Sequence, residues 1–439
     1  MKIYGSKKES IARAFRNSGI KIAVYGLGKM GLPLAAIFAE KGAKVIGIDI
    51  DKKVVDSINK GINHVREEPC LNKLVRKNVK SGNLRASVNP ENADIHVILV
   101  PTLTDKNNKP ILSPVFSVAK KISSVLEKND IVITECTMPP SSTEKLIPIL
   151  EKSGLKCGKD FGLAHCPERT MTGTAIRDIT KQYPKIIGCI DKRTQIAVET
   201  IYSIINSKGV IPVSDIKTAE CVKVFEGIYR DVNIALANEL AIYCSDINVD
   251  ATEIFNTANT QPYCHIHKPG PGVGGHCIPL YPYFIMNPKT TLIKTARKIN
   301  DSMSAYTVKL TKEVLSKSKR KIKNSNILVL GLTFRSGVQE FRKTPAGPII
   351  KELKKLGAKV FAYDPLCDDS DYKIFNVRKS SFKNMDCIVI VTEHPEFKNL
   401  DWDKIKKQMR TKILIDTRQI VNPSTIRKLG FIYKGIGRV

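Results

Sequence analysis

The stretch KIAVYGLGKMGLPLAAIFAEKGAKVIGID, residues 21–49, decides the fold. An apolar strand pattern at residues 21–25 leads through three glycines into an apolar helical pattern at residues 32–41, and a second strand pattern follows at residues 44–49. A strand, glycine turn, helix and strand within about 30 residues form the context in which a Gly-x-Gly-x-x-Gly motif is informative. The stretch therefore predicts the start of a parallel sheet in an α/β fold of the Rossmann type.

The three glycines of this motif have different predicted roles. Gly26 permits the tight turn, Gly28 lets a pyrophosphate approach the backbone, and Gly31 permits close packing of the helix on the strand. Asp49 ends the second strand, where a carboxylate accepts hydrogen bonds from ribose hydroxyls and repels a 2′-phosphate. The motif thus predicts a dinucleotide site with NAD, rather than NADP, as cofactor. The alternative is a purely structural glycine turn in a similar fold with another ligand.

Further strand patterns divide the rest of the chain. They alternate with helical patterns at residues 95–100, 131–134 and 185–188, and again at residues 326–331, 358–363, 386–392 and 412–416. Between the two groups, residues 218–246 form one long helical pattern that is apolar almost all round, which is typical of a helix at a domain or subunit interface. We expect an N-terminal extension at residues 1–19, a NAD-binding Rossmann domain at 20–214, a central helical dimerisation domain at 215–320 and a C-terminal Rossmann-like domain at 321–439.

The composition is that of a globular protein. Of the 439 residues, 42% are hydrophobic and 26% are charged, which excludes a long disordered chain, a collagen and a small disulfide scaffold. Lys and Arg number 71 against 42 Asp and Glu, so the formal net charge is +29. This charge favours anionic partners such as nucleic acid, acidic membranes or phosphorylated substrates, and it is equally compatible with a solubilising surface.

The cysteines and the apolar runs bear on the cellular compartment. Eleven cysteines without a Cys-x-x-Cys pair argue against a secreted disulfide framework and against a structural zinc site. Residues 1–19 lack the apolar segment of a secretory signal, and no apolar run approaches the roughly 18 residues of a membrane span. We therefore expect a cytoplasmic protein with no membrane partner and no metal. The alternative is a zinc site at the closely spaced residues of Cys264-His-Ile-His267 together with His276-Cys277, or at His165-Cys166.

A glycine-rich loop ends in a candidate nucleophile. The segment PGPGVGGHC, residues 269–277, places four glycines before Cys277, and such a backbone can wrap closely around an anionic ligand. The Cys277 thiol would be a nucleophile if nearby cations made it acidic. The alternative is an inert cysteine at the end of a flexible loop.

The long helix carries a polar stripe. Its members are Lys223, Gly227, Arg230 and Asn233. Spacings of four, three and three residues place them along one helix face. Polar groups on an otherwise apolar helix are costly unless they meet a ligand or a partner charge, so the stripe predicts either a binding surface or a row of interfacial salt bridges.

Seven segments follow one another in the order of a known family. They are Gly26-Leu-Gly-Lys-Met-Gly-Leu-Pro33, Val100-Pro-Thr102, Glu135-Cys-Thr-Met-Pro139, Cys166-Pro-Glu-Arg169, the helix segment 219–233, Gly272-Val-Gly-Gly-His-Cys277, and Gly331-Leu-Thr-Phe-Arg335 with Arg342. The chain thereby resembles the UDP-glucose/GDP-mannose dehydrogenase family from residue 21 to residue 418. The resemblance implies that the C-terminal domain binds the UDP part of a UDP-sugar.

The resemblance also implies a reaction, the oxidation of a sugar C6 alcohol to a carboxylate with two NAD. Lys223 would take the alcohol proton or stabilise the oxyanion. Cys277 would hold the aldehyde as a thiohemiacetal and then as a thioester, and Glu168 would position the water that releases the acid. Thr137 is the fourth residue assigned to catalysis.

Binding residues follow from the same resemblance. Met30, Thr102 and Thr137 would line the NAD site together with the motif glycines and Asp49. The residues expected to hold the UDP-sugar are Arg169, Thr170, Lys223, Arg230, Asn233, Gln261, Gly274, His276, Phe334, Arg335 and Arg342. In this family an arginine at the position of Arg342 reaches the substrate of the neighbouring subunit, which implies a homodimer or a higher homo-oligomer. No nucleic-acid partner is expected.

Substrate choice follows from the cysteine segment. Its Gly-Val-Gly-Gly-His-Cys form resembles the branch that oxidises UDP-N-acetylhexosamines, with UDP-N-acetyl-D-mannosamine as the expected substrate and UDP-N-acetylglucosamine or UDP-glucose as alternatives.

Three positions depart from the family pattern: Gly227 replaces a frequent Asn, Tyr281 a frequent Asp and Tyr263 a common Arg. A member that binds both ligands without turnover is a second hypothesis, and a basic nucleic-acid-binding Rossmann protein is a third.

Overall fold

The computed structural model describes residues 3–438. The chain divides into two compact units, one formed by Met1–Glu226 with Tyr283–Ile285 and the other by Gly227–Pro282 with Met286–Val439. The boundary near residue 226 lies inside a long helix, whereas the change of sequence pattern suggested boundaries at residues 214 and 320.

The first unit is built on an eight-stranded sheet. Its strands are β1 Lys21–Tyr25, β2 Lys44–Ile48, β3 Leu84–Ser87, β4 Ile95–Ile98, β7 Ile131–Thr134, β8 Gly162–His165, β9 Lys185–Cys189 and β10 Val210–Pro212, and a separate hairpin is formed by β5 Leu103–Thr104 and β6 Pro110–Ile111. The order across the sheet is β10-β9-β8-β7-β4-β1-β2-β3. All neighbours are parallel except β8 and β9. The predicted α/β class with a parallel sheet is therefore confirmed, with one antiparallel pair.

Helices cover both faces of this sheet. They are α1 Lys8–Arg16, α2 Gly31–Glu40, α3 Lys52–Asn59, α4 Leu71–Lys80, α5 Ser113–Ser123, α6 Ile147–Leu150, α7 Ala175–Arg177 and α8 Lys192–Ile205, with 3-10 turns at Thr143–Leu146 and Glu151–Ser153 and a π turn at Asp178–Gln182. Strands β4, β7 and β8 are buried along their whole length, as expected for central strands between two helix layers.

The N-terminal stretch packs into the core of the first unit. Ile11 and Phe15 of α1 are fully buried, and the Phe15 ring lies 6.3 Å from that of Phe38 in α2. A helix with one apolar face gains stability by burying that face. The stretch at residues 1–19, expected as an extension, thus contains a helix that belongs to the α/β domain.

The second unit has a six-stranded, fully parallel sheet. Its strands are β11 Asn326–Leu330, β12 Lys359–Tyr363, β13 Arg378–Lys379, β14 Cys387–Ile390, β15 Ile413–Asp416 and β16 Ile432–Gly435, in the order β13-β12-β11-β14-β15-β16. The helices that follow the unit boundary are α10 Ala251–Ala258, α11 Thr291–Lys317, α12 Ala346–Lys355, α13 Asp369–Ile374, α14 Pro395–Lys398, α15 Trp402–Gln408 and α16 Pro423–Lys428. The boundary itself lies within α9 Ile216–Asp246, and a 3-10 turn is formed by Tyr281–Phe284.

Candidate functional site

The glycine turn after β1 has the shape that a dinucleotide diphosphate requires. A Cβ atom on Gly31 would lie 1.8 Å from the Gly26 carbonyl oxygen, so only glycine allows α2 to start this close to the strand. A Cβ atom on Gly28 would meet no atom within 4 Å, which leaves open space above the turn. The start of α2, where the helix dipole is positive, and that space together fit an anionic diphosphate.

Asp49 is fixed beside this turn. Its Oδ2 accepts a hydrogen bond from the Leu27 backbone N–H at 2.8 Å, and its Oδ1 accepts one from the Asp51 N–H at 2.9 Å. Each carboxylate oxygen has a second lone pair, so the half-buried side chain can still accept ribose hydroxyls. The turn and the carboxylate thus fit the NAD expected from the sequence.

Neighbouring strand ends bring the other expected NAD residues to the same edge of the sheet. Thr102 follows β4 and is 3% exposed, and Thr137 follows β7 and is half-buried. Strands β1, β4 and β7 are adjacent and parallel, so the segments after them meet at their carboxyl ends, where ligands of open α/β sheets bind. Met30 precedes α2, and its Sδ accepts a hydrogen bond from Thr170 Oγ1 at 2.9 Å.

The segment after β8 carries Glu168 and Arg169. The Glu168 carboxylate accepts a hydrogen bond from the Thr170 N–H, and the Glu168 N–H donates to the Glu135 carbonyl at 3.1 Å. The Arg169 guanidinium lies over the Tyr183 ring at 4.8 Å, and its Nε is 3.0 Å from Oε1 of Glu226. Both residues are therefore held by contacts within the first unit.

A buried charge pair supports this segment and was not predicted from the sequence. Lys185 Nζ lies 2.8 Å from Glu135 Oε2, and the Tyr202 hydroxyl donates to the same carboxylate. Burial raises the pKa of Glu135, while Lys185 and Tyr202 oppose that rise by stabilising the charged form. A buried charge is tolerated only when paired in this way, so the pair fixes the backbone that leads to Glu168.

Helix α9 presents Lys223 at its buried side. Lys223 is 8% exposed, and Glu220, one turn earlier, is fully buried. The Glu220 carboxylate accepts hydrogen bonds from the Ser141 and Thr143 N–H groups at 2.5 and 2.8 Å, and from Thr143 Oγ1 at 2.7 Å. The start of α9 is thereby tied to the segment that follows Thr137. Glu220 has no sequence motif, because its partners are about 80 residues away and only the fold brings them together.

In the second unit, the loop before Cys277 packs tightly on the segment after β11. A Cβ atom on Gly274 would lie 2.6 Å from Phe334 Cβ, and one on Gly275 would lie 2.8 Å from the Phe334 ring. The Gly275 N–H donates to the Arg342 carbonyl at 2.9 Å. The structure thus brings Gly274 and Phe334 together, and it leaves the Cys277 side chain exposed at the end of the loop.

Two of the arginines expected at the UDP-sugar lie close enough to repel each other. Burial and the positive charge of Arg230 both lower the pKa of Arg335, whereas Glu340 raises it. Arg342 Nε is 3.7 Å from Glu340 Oε1, and its side chain is 46% exposed. A concentration of cations with one carboxylate is suited to an anionic group such as a diphosphate.

Two expected substrate residues use their amide oxygens internally. Gln261 Oε1 accepts a hydrogen bond from the Tyr263 N–H, and Asn233 Oδ1 accepts one from the His267 N–H at 2.9 Å.

Gly227 and Tyr281, two of the three positions that depart from the family pattern, are in contact, since a Cβ atom on Gly227 would lie 2.5 Å from the Tyr281 ring. Tyr263, the third departure, is 90% exposed.

Comparison with protein families decides the identity of the chain. Residues 20–206, 217–302 and 328–423 match the NAD binding domain, the central domain and the UDP binding domain of the UDP-glucose/GDP-mannose dehydrogenase family. The chain belongs to this family. The resemblance inferred from the motifs is confirmed, and so is the expectation of an NAD-dependent member.

Individual members of the family cover almost the whole chain. A UDP-N-acetyl-D-mannosamine dehydrogenase of Methanococcus aeolicus is 37% identical, over 95% of this chain and 95% of its own. The structure of a UDP-N-acetyl-D-mannosamine dehydrogenase from Pyrococcus horikoshii superposes with a TM-score of 0.88 at 36% identity, covering 95% of this chain and 99% of the other. An NDP-N-acetyl-D-galactosaminuronic acid dehydrogenase from Methanosarcina mazei gives a TM-score of 0.84 at 29% identity, covering 99% and 98%.

The described residues also bear on membrane spanning and metal binding. Between residues 3 and 438, no helix is long and apolar enough to cross a membrane. Within the same residues, no group of three His, Cys, Asp or Glu side chains is placed to hold a metal ion.

Proposed function

We propose that this family member oxidises the C6 hydroxyl of a UDP-N-acetylhexosamine to the uronate, with UDP-N-acetyl-D-mannosamine as the first-choice substrate. The observation that carries the reaction is the exposed Cys277 thiol at the end of the glycine loop, because oxidation of an alcohol to an acid needs a nucleophile that retains the aldehyde. The choice of sugar is supported by relatives that bear the mannosamine name and match nearly the whole chain.

Bound NAD supplies the hydride acceptor for each of two oxidations. The residues that would hold it are the glycine turn at residues 26–31, Asp49 at the adenosine ribose, and Thr102 and Thr137 at the neighbouring strand ends. The two hydrogen bonds that fix the Asp49 carboxylate keep its charge oriented before the ribose arrives, which reduces the entropy lost on binding.

Lys223 is proposed to act on the alcohol in the first oxidation. The C6 hydroxyl gives up its proton as the hydride leaves carbon, and an ammonium group stabilises the negative charge that develops on the oxygen. The Lys223 side chain is buried, and in a low-dielectric environment such a charge acts more strongly than in water. Glu220 fixes the first turns of α9 and thereby limits the freedom of that lysine.

Cys277 and Glu168 are proposed for the second half of the reaction. The thiolate adds to C6 of the aldehyde to form a thiohemiacetal, and loss of a second hydride and a proton gives a thioester. Water, positioned by Glu168, then attacks the thioester carbonyl, so that the C–S bond breaks and the acid leaves while the thiol is restored. The contacts of Glu168 with Thr170 and Glu135 support a fixed position for this carboxylate.

The nucleotide part of the substrate is proposed to bind to the second unit. Arg230 and Arg335 repel each other in the absence of an anion, and a diphosphate would relieve that repulsion. Phe334 and Gly274, which pack against each other, join the UDP-binding segment to the loop that ends at Cys277. Arg169, Thr170, Gln261, His276 and Arg342 complete the set proposed for the sugar and its phosphates.

We also propose a homodimer. Helix α9 and the residue that follows it leave large apolar side chains exposed, namely Tyr229 (54%), Leu236 (49%), Tyr243 (60%) and Ile247 (50%). Their spacings of seven, seven and four residues place them on one stripe of the helix. An apolar stripe of this length is characteristic of a surface that another helix covers, and the same helix of a second copy fits it by symmetry.

The proposal is tested by incubating the protein with NAD and a panel of nucleotide sugars while following absorbance at 340 nm. We expect turnover of UDP-N-acetyl-D-mannosamine with two NADH per uronate, and little turnover of UDP-glucose or GDP-mannose. Faster oxidation of UDP-N-acetyl-D-galactosamine would favour the galactosaminuronic acid relatives instead. Absence of turnover with every sugar, despite NAD binding, would identify a member that binds without catalysis.

Cys277→Ala tests the mechanism in the same assay. The variant keeps Lys223 and the cofactor site, so a slow first oxidation remains while formation of the acid stops. Cys264→Ala is the matched control. Cys264 lies in the same loop region, before the four glycines that precede Cys277, and its replacement should leave acid formation unchanged. Acid production by Cys277→Ala at near the wild-type rate would exclude covalent catalysis by this residue.

A further inference from the structure

The segment that carries Cys277 has no regular structure of its own. Residues 259–280, all of which the structure describes, form neither helix nor strand. A backbone that makes few internal hydrogen bonds must find partners elsewhere, and its position is set by those partners. The groups that satisfy this segment therefore determine where the thiol lies.

Upstream of the cysteine, the partners are two asparagines of α9. Asn233 Oδ1 accepts a hydrogen bond from the His267 N–H at 2.9 Å, and Asn238 Oδ1 accepts one from the Gly270 N–H at 2.8 Å. Asn238 is fully buried, and Gly270 is buried as well. These bonds hold the start of the glycine loop along one side of the helix.

The orientation of Asn238 is set by a second row of polar groups. Its Nδ2 donates to Asn300 Oδ1 at 2.9 Å, and Asn300 Nδ2 donates to the carbonyl and the carboxylate of Asp231, each at 2.8 Å. Arg297 Nη1 lies 2.5 Å from the same carboxylate. Because Asp231 can only accept, the direction of every bond in the row is fixed, and Asn238 must present its oxygen to Gly270.

Downstream of the cysteine, the partner is again α9. The Tyr281 N–H donates to the Cys277 carbonyl at 3.0 Å, and the Tyr281 ring is buried against Gly227. A Cβ atom at residue 227 would lie 2.5 Å from Cδ2 of that ring, closer than carbon atoms approach without displacement. A glycine on the helix is therefore what lets the tyrosine seat the turn that follows Cys277.

We propose that α9 is the positioning element for Cys277, acting through Asn233 and Asn238 on one side of the thiol and through the Gly227–Tyr281 contact on the other. None of the four residues reacts with the substrate. This inference assigns Asn233 a positioning role in place of the substrate contact expected from the resemblance. It rests on the proposed function only in taking Cys277 as the residue whose position matters.

The Gly227–Tyr281 contact is tested with a double-mutant cycle. Gly227→Ala places a methyl group against the Tyr281 ring and should displace the turn that follows Cys277. It should lower the rate of acid formation by about 10²-fold, the typical loss from a displacement of about 1 Å at a reacting group. Tyr281→Ala should also reduce the rate, but adding Gly227→Ala to it should cost nothing further, since the ring is gone. Additive losses in the double variant would show that the two residues act independently and would overturn the proposal.

Tyr281→Phe separates packing from hydroxyl chemistry. The ring and its contact with Gly227 are kept, so we expect kcat within about twofold of wild type, as for a conservative change that keeps the packing. Loss of activity in Tyr281→Phe as great as in Tyr281→Ala would assign the effect to the hydroxyl and contradict a positioning role through the ring.

Asn233 distinguishes positioning from substrate binding. Asn233→Asp retains an oxygen that accepts from the His267 N–H but loses the amide donor, whereas Asn233→Ala loses both. Positioning predicts that Asn233→Asp keeps most of kcat and that Asn233→Ala does not, with the KM for UDP-sugar nearly unchanged in Asn233→Ala. A large rise of KM in both variants would return Asn233 to the substrate site.

A measurement that needs no substrate keeps this inference separate from the proposed function. The rate of Cys277 carboxamidomethylation by iodoacetamide, followed by mass spectrometry, reports the surroundings of the thiol. We expect Gly227→Ala and Asn238→Ala to change that rate at least severalfold at temperatures well below unfolding, with no change for exposed Cys70, the internal control. An unchanged Cys277 rate in both variants would refute positioning by α9, even in a protein that oxidises none of the sugars.

Discussion

Asp49 is the residue whose charge we expect to select NAD over NADP. Its carboxylate is oriented by two backbone N–H groups, and a 2′-phosphate placed beside it would be repelled. Asp49→Ala should lower kcat/KM for NAD about 10- to 100-fold, the equivalent of about 1.5–3 kcal/mol for hydrogen bonds to a charged group, and should affect NADP less. Initial rates with both cofactors measure the change in preference.

The control for Asp49 is a second carboxylate on the same turn. Asp51 caps α3 by accepting from the Lys53 N–H and is exposed. Asp51→Ala should leave the ratio of the two kcat/KM values unchanged. A wild-type protein that prefers NADP would contradict the role assigned to Asp49.

Single residues show what sequence reasoning can and cannot reach. Asp49 lies at a fixed distance from its motif, so its place beside the glycine turn could be predicted. Gly227 and Tyr281 stood out separately as departures from a pattern, but their contact joins residues 54 positions apart in the chain and became visible only in the structure. Glu220 and the Glu135–Lys185 pair gave no signal because charged residues at those positions are ordinary in sequence.

At the scale of elements, the two sheets use the same acidic position differently. Asp364 follows β12 and accepts from the Leu332 N–H at 2.7 Å, just as Asp49 follows β2 and accepts from the Leu27 N–H. In the second sheet, however, His394 Nε2 lies 3.0 Å from the same Asp364 oxygen, and Asp364 is fully buried. The position open to a ribose in the first unit is filled by a side chain in the second.

The buried Asp364–His394 pair leads to a prediction about stability at acid pH. Burial alone would raise the pKa of Asp364, but hydrogen bonds from His394, Thr333 and Leu332 lower it well below its ordinary value of 3.8. A lowered pKa in the folded state contributes stability that is present above the unfolded pKa and is lost as pH falls toward the folded pKa. The free energy of unfolding should therefore decrease as the pH is lowered below about 4.

Asp364→Asn is the variant that measures this contribution. It should destabilise the protein by about 1.5–3 kcal/mol at neutral pH, because hydrogen bonds to a charged carboxylate are lost, and its stability should depend less on pH below about 4. Urea unfolding at several pH values gives both quantities, with exposed Asp369→Asn as the control. If the free energy of unfolding fell with pH equally steeply below about 4 in Asp364→Asn and in wild type, the role of Asp364 in acid stability would be contradicted.

Two strands that the sequence patterns did not predict, β3 and β8, were missed for the same physical reason. Strand β8 is Gly-Leu-Ala-His and strand β3 is Leu-Arg-Ala-Ser, and neither contains the β-branched or aromatic residues that mark a strand. β8 is nevertheless buried throughout, because it lies inside the sheet and its two faces pack into separate core clusters, Leu163 in one and Ala164 in the other. Apolar strands such as β1 and β11 were predictable almost to the residue, since burial on both faces selects a continuous apolar run.

At the scale of the whole molecule, the unit boundary inside α9 follows from where its side chains bond. Glu220 near its start binds the segment at residues 141–143 of the first unit, whereas Asn238 binds Gly270 of the second. A pattern of apolar residues cannot reveal such a division, because it is continuous along the helix. The net charge of +29 likewise fits an anionic nucleotide sugar without identifying it.

The proposed homodimer makes the last prediction, which concerns sharing of a site between subunits. Arg342 is proposed to act on the partner's substrate, and its half-exposed side chain is available for that contact. Cys277→Ser and Arg342→Ala should each be inactive alone, but mixed dimers combine one native cysteine with one native arginine. Random exchange of subunits makes half of the dimers mixed, each with one intact site of two, so activity should recover to about a quarter of wild type.

Mixing Cys277→Ser with Cys277→Ala supplies no thiol and should recover nothing. Native mass spectrometry verifies that subunits have exchanged, and exchange without recovery in the first mixture would show that each chain uses its own Arg342.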